Sequence, residues 1–164
     1  MTLVLYRIDD RLIHGQVVVG WGQPLDIDFI VLVDDAVAGS DWEQELYRMG
    51  VPPHMDVYFL TVDQAAERMT DFRSNPHRGI LLTGDIATMR RLAERDPGLG
   101  AVNVGGIHHK AGRVQRLRYV FLTPEEEVQL RELATRGLAV SAQDVPGARP
   151  VPLGELLASD DVFD

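Results

Sequence analysis

Between Arg7 and His14 the chain packs two carboxylates, two guanidiniums and one imidazole into eight residues, Arg7-Ile8-Asp9-Asp10-Arg11-Leu12-Ile13-His14. An imidazole can act as nucleophile and leaving group near neutral pH, because its unperturbed pKa is about 6.5. Asp9 or Asp10 can hold its tautomer, or can orient Arg11. Arg11, and more weakly Arg7, can neutralise an anion in transit. These are the parts of a phosphoryl-relay site with His14 as the nucleophile. The same groups also suit a plain strand end whose charges are solvated and whose histidine is inert.

The elements that must position these groups follow a βα rhythm, which predicts an α/β fold: an open, mostly parallel sheet of about seven strands with helices on both faces. Strands are expected over 2–8, 28–33, 56–60, 79–82, 101–104, 119–121 and 139–142. The unbroken run Phe29-Ile30-Val31-Leu32-Val33 fits a strand covered on both faces. Helices are expected over 41–49, 62–73, 86–94 and 124–136. The last is well punctuated, with Thr123 as cap, Pro124 in the first turn, Glu125, Glu126 and Glu127 at the positive end, and Gly137 as the stop. The stretch 146–152 reads as an extended connection before a short helix over 153–158, and Asp160-Asp161 as a fraying end. Gly15 to Gly22, with three valines in a row and Gly15, Gly20 and Gly22, argues against a helix by propensity.

In an open parallel sheet, ligands bind beyond the carboxyl ends of the strands where strand order reverses. The Arg7–His14 segment follows the first strand, Thr83-Gly84-Asp85 the fourth, and Asn103-Val104-Gly105-Gly106 ends the fifth, so three loops are expected to converge. Phosphoryl transfer needs mainly positioning and neutralisation of charge, which backbone N–H groups supply without formal charge. Gly15, Gly105 and Gly106 are therefore candidate phosphate neighbours, although Gly105 and Gly106 equally suit a turn needing positive φ. Thr83 can donate its hydroxyl to phosphate or cap the following helix.

Arg7-Ile8-Asp9-Asp10-Arg11-Leu12-Ile13-His14-Gly15-Gln16-Val17 resembles the amino-terminal signature of the IIB components of the mannose/fructose/sorbose family of the bacterial sugar phosphotransferase system (PTS). The likeness extends through Pro52-Pro53, Asn103-Val104-Gly105-Gly106, and the stretch 120–143 with Leu133, Gly137 and Val140, and so covers nearly the whole chain as one domain, 1–164. The resemblance implies that His14 takes a phosphoryl group from a phosphorylated IIA protein, on Nδ1. It also implies that the group passes to a sugar of the mannose/fructose/sorbose class bound by a IIC/IID membrane permease. Such a transferase is cytoplasmic and peripherally associated with the permease, needs no cofactor, and begins a helix at Gly15 to Gly22 against local propensity. Burial of Val17, Val18 and Trp21 would have to override that propensity. The alternative within the same chemistry is a regulatory phospho-accepting module without a permease of its own. Two segments depart from the family pattern, Thr83-Gly84-Asp85 and His108-His109-Lys110, and both fall near the expected crevice.

Composition narrows the field further. A chain of 164 residues with net charge −9 and no cysteine is one domain's worth, without disulfides or thiolate metal sites. Its start lacks a signal-peptide pattern, and its longest apolar runs fall short of a membrane span of about 20 residues. Nucleic acid is disfavoured as a partner, because no basic stripe offsets the acidic field. A second basic group, Lys110, Arg113, Arg116 and Arg118, reads as a solvated hairpin or loop ahead of a docking patch. His54 and His77 fall in loops, and adjacent His108 and His109 must point apart, so at most one faces the crevice. Asp9, His14 and His108 lack the local spacing of a metal site, and Gly105-Gly106 lacks the order of a dinucleotide loop.

Overall fold

Aliphatic strands that bury both faces need cover on both sides, and the chain supplies it. The computed structural model describes residues 3–158. Seven strands form the main sheet: β1 (Leu3–Ile8), β2 (Phe29–Val33), β3 (Asp56–Leu60), β4 (Gly79–Thr83), β5 (Ala101–Val104), β8 (Ala139–Ala142) and β9 (Val151–Pro152). Their order is β3-β2-β4-β1-β5-β8-β9, parallel throughout except for the β8–β9 pair. A separate antiparallel ribbon joins β6 (Val114–Leu117) to β7 (Val120–Leu122).

The side-chain period of two divides β2 and β4 between two cores. Phe29, Val31, Val33 and Leu81 face one, with Met69 and Phe72 of α3 (Val62–Ser74), Met89 of α4 (Ile86–Arg95), Leu130 and Leu133 of α5 (Pro124–Thr135) and Leu156 of α6 (Leu153–Ala158). Ile30, Leu32, Ile80 and Leu82 face the other, with Val17, Val18 and Trp21 of a π-helix (Gln16–Trp21) and Val37 of α1 (Asp35–Ala38). α2 (Asp41–Met49) has none of its side chains fully buried and touches the second core only through the partly buried Tyr47. The expected α/β sheet with helices on both faces is therefore present.

The differences are local. The strand expected over 119–121 belongs to the ribbon, not the main sheet. Its place as seventh strand is taken by β9, inside the stretch read as a mere connection. Pro152 lacks an N–H, so it can sit only at a sheet edge, which is where β9 lies. α1, a single turn capped by the Asp34 carboxylate on the Val37 N–H, is too short to show a period. Gly15 to Gly22 does turn helical despite its propensity. Trp21 at 3% exposure, Val17 at 0% and Val18 at 4% show that burial overrides local preference there. Thr123 caps α5 through a reciprocal box with Glu126, and Gly137 stops it at φ +97°. Thr2 and Asp160-Asp161 lie outside the described residues.

Candidate functional site

The central position of β1, between β4 and β5, draws the expected loops together. The Asp9 N–H donates to the Thr83 carbonyl (2.9 Å), the Asp10 N–H to the Gly106 carbonyl (2.9 Å), and the Gly105 N–H to the Ile8 carbonyl (2.7 Å). A fourth segment joins them from the end of β8, Gln143-Asp144, which sequence reasoning did not assign to the site.

Asp9 is fully buried beneath His14. Its Oδ2 lies 3.9 Å from His14 Nε2 and 3.5 Å from Arg7 Nη2, while its Oδ1 accepts the Arg11 N–H at 3.2 Å and lies 3.8 Å from Arg11 Nε. Of the two carboxylates left open by sequence, Asp9 is thus the one beside both His14 and Arg11. Asp10 turns the other way, to His108, accepting its backbone N–H at 2.7 Å and its Nδ1–H at 2.6 Å.

The His14 side chain is 17% exposed, and its Nδ1–H donates to the Leu12 carbonyl at 2.8 Å. Leu12 holds that carbonyl in place from an αL backbone (φ +59°), an uncommon conformation for a residue with a Cβ. Such strain costs on the order of 1–3 kcal/mol and collects at functional sites. Gln16, one turn on, lies with Oε1 3.5 Å from His14 Nε2 and accepts from Arg11 Nη2 at 2.7 Å. Its amide donates to Asp144 Oδ1 at 2.9 Å, and Arg118 reaches Asp144 Oδ2 at 3.1 Å. Gln16 stands inside the sequence signature, so its place was visible although its role was not. Asp144 had no such signal, because only the sheet brings the end of β8 to β1.

Arg11 is half-exposed, with its guanidinium between Gln16 and Asp9. Arg7, a candidate phosphate neighbour by sequence, is instead fully buried, with both terminal nitrogens engaged and Nε left without a hydrogen-bond partner. Nη1 binds Asn103 Oδ1 and the Gln143 carbonyl (2.9 Å), Nη2 binds the Asp144 carbonyl (3.2 Å) and Asp9, and the guanidinium stacks 4.7 Å from the Trp21 ring centroid. Burial pulls Arg7 below the usual guanidinium range, and the negative charges of Asp9 and Asp144 oppose that pull. Arg7 therefore ties the ends of β1, β5 and β8 together and compensates the Asp9 charge.

The glycine candidates also resolve. Neither Gly105 nor Gly106 has positive φ, so the turn explanation is corrected. A Cβ on Gly105 would stand 2.4 Å from Arg7 Nη2, so glycine there admits the guanidinium. Gly106 lies between Asp9 and His108. Gly15 is exposed at the start of the π-helix, with open space around it. Thr83 is buried with its hydroxyl donating to the Asp85 carbonyl at 3.3 Å, while Asp85 caps α4, so Thr83 is not the cap. In the second basic group the hairpin is real but only half solvated: Lys110 and Arg118 are exposed, whereas Arg113 pairs with Glu126 and Arg116 with Glu127 of α5, all largely buried side chains. His54 and His77 are exposed, remote from these contacts in sequence and bonding.

Chemically, the arrangement is an imidazole whose inner nitrogen faces a buried carboxylate, with a half-exposed guanidinium beside it that is held by Gln16 and Asp9. Comparison with known proteins gives this arrangement a context. Residues 3–163 match the family described as PTS system sorbose subfamily IIB component. The N-acetylgalactosamine-specific phosphotransferase enzyme IIB component 1 of Escherichia coli is 35% identical over 150 residues, covering 89% of this chain and 92% of that one. The crystal structure of manxB from Thermoanaerobacter tengcongensis superimposes with a TM-score of 0.87 at 30% identity, covering 96% of each chain. The mannose-specific EIIAB component of Escherichia coli is 27% identical over 161 residues, and this chain spans 98% of itself but 50% of that longer protein.

Proposed function

We propose, from the premise that this chain belongs to the sorbose subfamily of PTS IIB components, that His14 is the residue that receives and passes on the phosphoryl group. IIB components are phosphotransferases of sugar transport systems, so the open questions are which side chains act and on what. The observation that carries the reading is the pairing of a buried Asp9 with the inner nitrogen of a partly exposed His14, with the half-exposed Arg11 at its side.

In the first transfer, a ring nitrogen of His14 attacks the phosphorus of a phosphohistidine on a IIA protein. A new N–P bond forms, the donor N–P bond breaks, and the donor imidazole keeps the electron pair. Arg11 swings from Gln16 onto the transferring oxygens, where a forked guanidinium suits spread charge. In the second transfer, a sugar hydroxyl attacks phosphorus and His14 leaves. Asp9 favours a protonated Nε2, which lets His14 depart as neutral imidazole instead of an imidazolate. The EIIAB name of the mannose relative supports a IIA donor, since there both units share one chain. The sugar would be held by a IIC/IID permease, on whose cytoplasmic side the protein docks. Among the described residues no helix is long and apolar enough to cross a membrane. The permease pocket would select the hexose.

Intact mass spectrometry after incubation with a phosphorylated IIA protein tests the reading. The wild type should gain one acid-labile phosphoryl group and His14→Ala none. A stable His14→Ala phosphoprotein, or no gain by the wild type from several phosphorylated donors, would overturn it.

A further inference from the structure

The transfer from His14 to a sugar leaves one proton unaccounted for, that of the attacking hydroxyl. We infer that His108, oriented by Asp10, is the general base that takes it. This inference rests on the function proposed above and adds a catalytic residue to it.

His108 is exposed, yet its ring is fixed. Asp10 accepts both its backbone N–H (2.7 Å) and its Nδ1–H (2.6 Å). The backbone bond alone would suffice to clamp the loop. The ring bond does something more: it fixes the tautomer, leaving the Nε2 lone pair unprotonated and turned outward, as a base requires. Arg113 donates to the His108 carbonyl at 2.7 Å and is itself held by Glu126, so the loop carrying the ring is anchored from α5. His109 points elsewhere, packing edge-on against Phe121.

The position fits as well as the orientation. Gly106 separates His108 from the phosphoacceptor wall: a Cβ there would meet His108 Cε1 at 3.3 Å and Asp9 Oδ1 at 3.6 Å. The other oxygen of Asp9 is the one 3.9 Å from His14. His108 and Asp9 thus approach residue 106 from two sides, close because it has no side chain, and His14 lies against the other oxygen of the same carboxylate. In the step, the sugar oxygen bonds to phosphorus and the N–P bond to His14 breaks, its electron pair returning to the His14 ring. The hydroxyl proton moves to His108 Nε2, and Asp10 stabilises the resulting imidazolium before the proton passes to water. The charged groups around His108 are Asp10 and Asp9 from the loop after β1 and Arg113 with its partner Glu126. Asp10 acts only through His108 and is a positioning residue.

The test uses the whole protein in membrane vesicles that carry the permease, with separate readouts for loading and for sugar phosphate. His108→Gln should load on His14 from phosphorylated IIA, yet form sugar phosphate at least about tenfold more slowly, the low end of what a positioned general base contributes being about a hundredfold. Its rate should also lose the acid-side fall expected of a step that depends on a general base. Asp10→Asn should slow the same step and move that acid limb, and His109→Gln should do neither. A His108→Gln protein that forms sugar phosphate at the wild-type rate and pH profile overturns the general-base role and leaves the proposed function intact. A wild type that loads on His14 but yields no sugar phosphate overturns both.

Discussion

Asp9 Oδ2 lies 3.9 Å from His14 Nε2, and the Asp9 side chain is wholly shielded from solvent. A phosphoryl dianion on Nε2 would therefore sit against a buried negative charge, where little water screens the repulsion. Nδ1 is the nitrogen that can carry the group, with Nε2–H turned to Asp9. The cost is the present bond from Nδ1–H to the Leu12 carbonyl, which the ring must leave, and a change of tautomer in which Nδ1 gives up its proton and Nε2, beside Asp9, takes one.

Long-range 1H–15N NMR of the phosphorylated protein should accordingly place phosphorus on Nδ1. Attachment at Nε2 would mean that Asp9 moves away on loading, and the electrostatic argument would fail.

Asp9→Asn keeps the shape of the side chain but removes its charge, leaving the Arg7 guanidinium buried beside a neutral partner. Breaking a buried pair in this way costs about 3–5 kcal/mol. Urea denaturation of the unphosphorylated protein should show a loss of that order, with an unchanged slope. A loss below about 1 kcal/mol, the range of an exposed pair, would show that Arg7 is compensated by its carbonyl and Asn103 contacts alone.

Gly105→Ala should destabilise the protein by about 1–3 kcal/mol, the usual range for forcing an extra methyl into a packed site. The clash is with the end of a long side chain, which elsewhere could step aside, but here Arg7 is held by Asn103, Gln143, Asp144 and Asp9. A double-mutant cycle with Arg7→Met should therefore show coupling between the two sites. Additive effects would place the strain somewhere other than the guanidinium.

Asp35 gives the fold an acid-side dependence. The Val62 N–H at the start of α3 and the Arg91 guanidinium hold its carboxyl below the ordinary carboxylate range, in that order of strength. A carboxyl depressed in the folded state adds stability above its unfolded value of 3.8, and that stability is lost as pH falls through the folded value. Asp35→Asn should lower Tm near neutral pH and lose less further Tm than the wild type between about pH 5 and pH 2. Because the side chain is 48% exposed, added salt should shrink the difference. Parallel acid profiles for the two proteins would exclude Asp35 as a contributor.

Much of this molecule follows from local rules. Strands with unbroken aliphatic runs, the boxed start of α5 and its glycine stop are set by period, capping and backbone freedom acting over a few residues. The His14 imidazole and its neighbouring charges are likewise contiguous in sequence, so the chemistry proposed for them could be read from residues 7 to 14 alone.

What required the tertiary structure were the choices between equal candidates. Asp9 and Asp10 are adjacent and chemically alike, and alternation along the chain sends one beneath His14 and the other to His108. Arg7 and Arg11 carry the same group, but Arg7 lies within β1 and is sealed under Trp21, while Arg11 stays in the loop. Gly105 shows no local reason to be glycine, because the atoms that exclude a side chain there come from a strand 98 residues earlier. Asp144 and His108 join the site from distant segments by the same route. Spacing encodes which groups are present; packing of strands remote in sequence decides which of them meet, because burial and pairing are properties of neighbours in space.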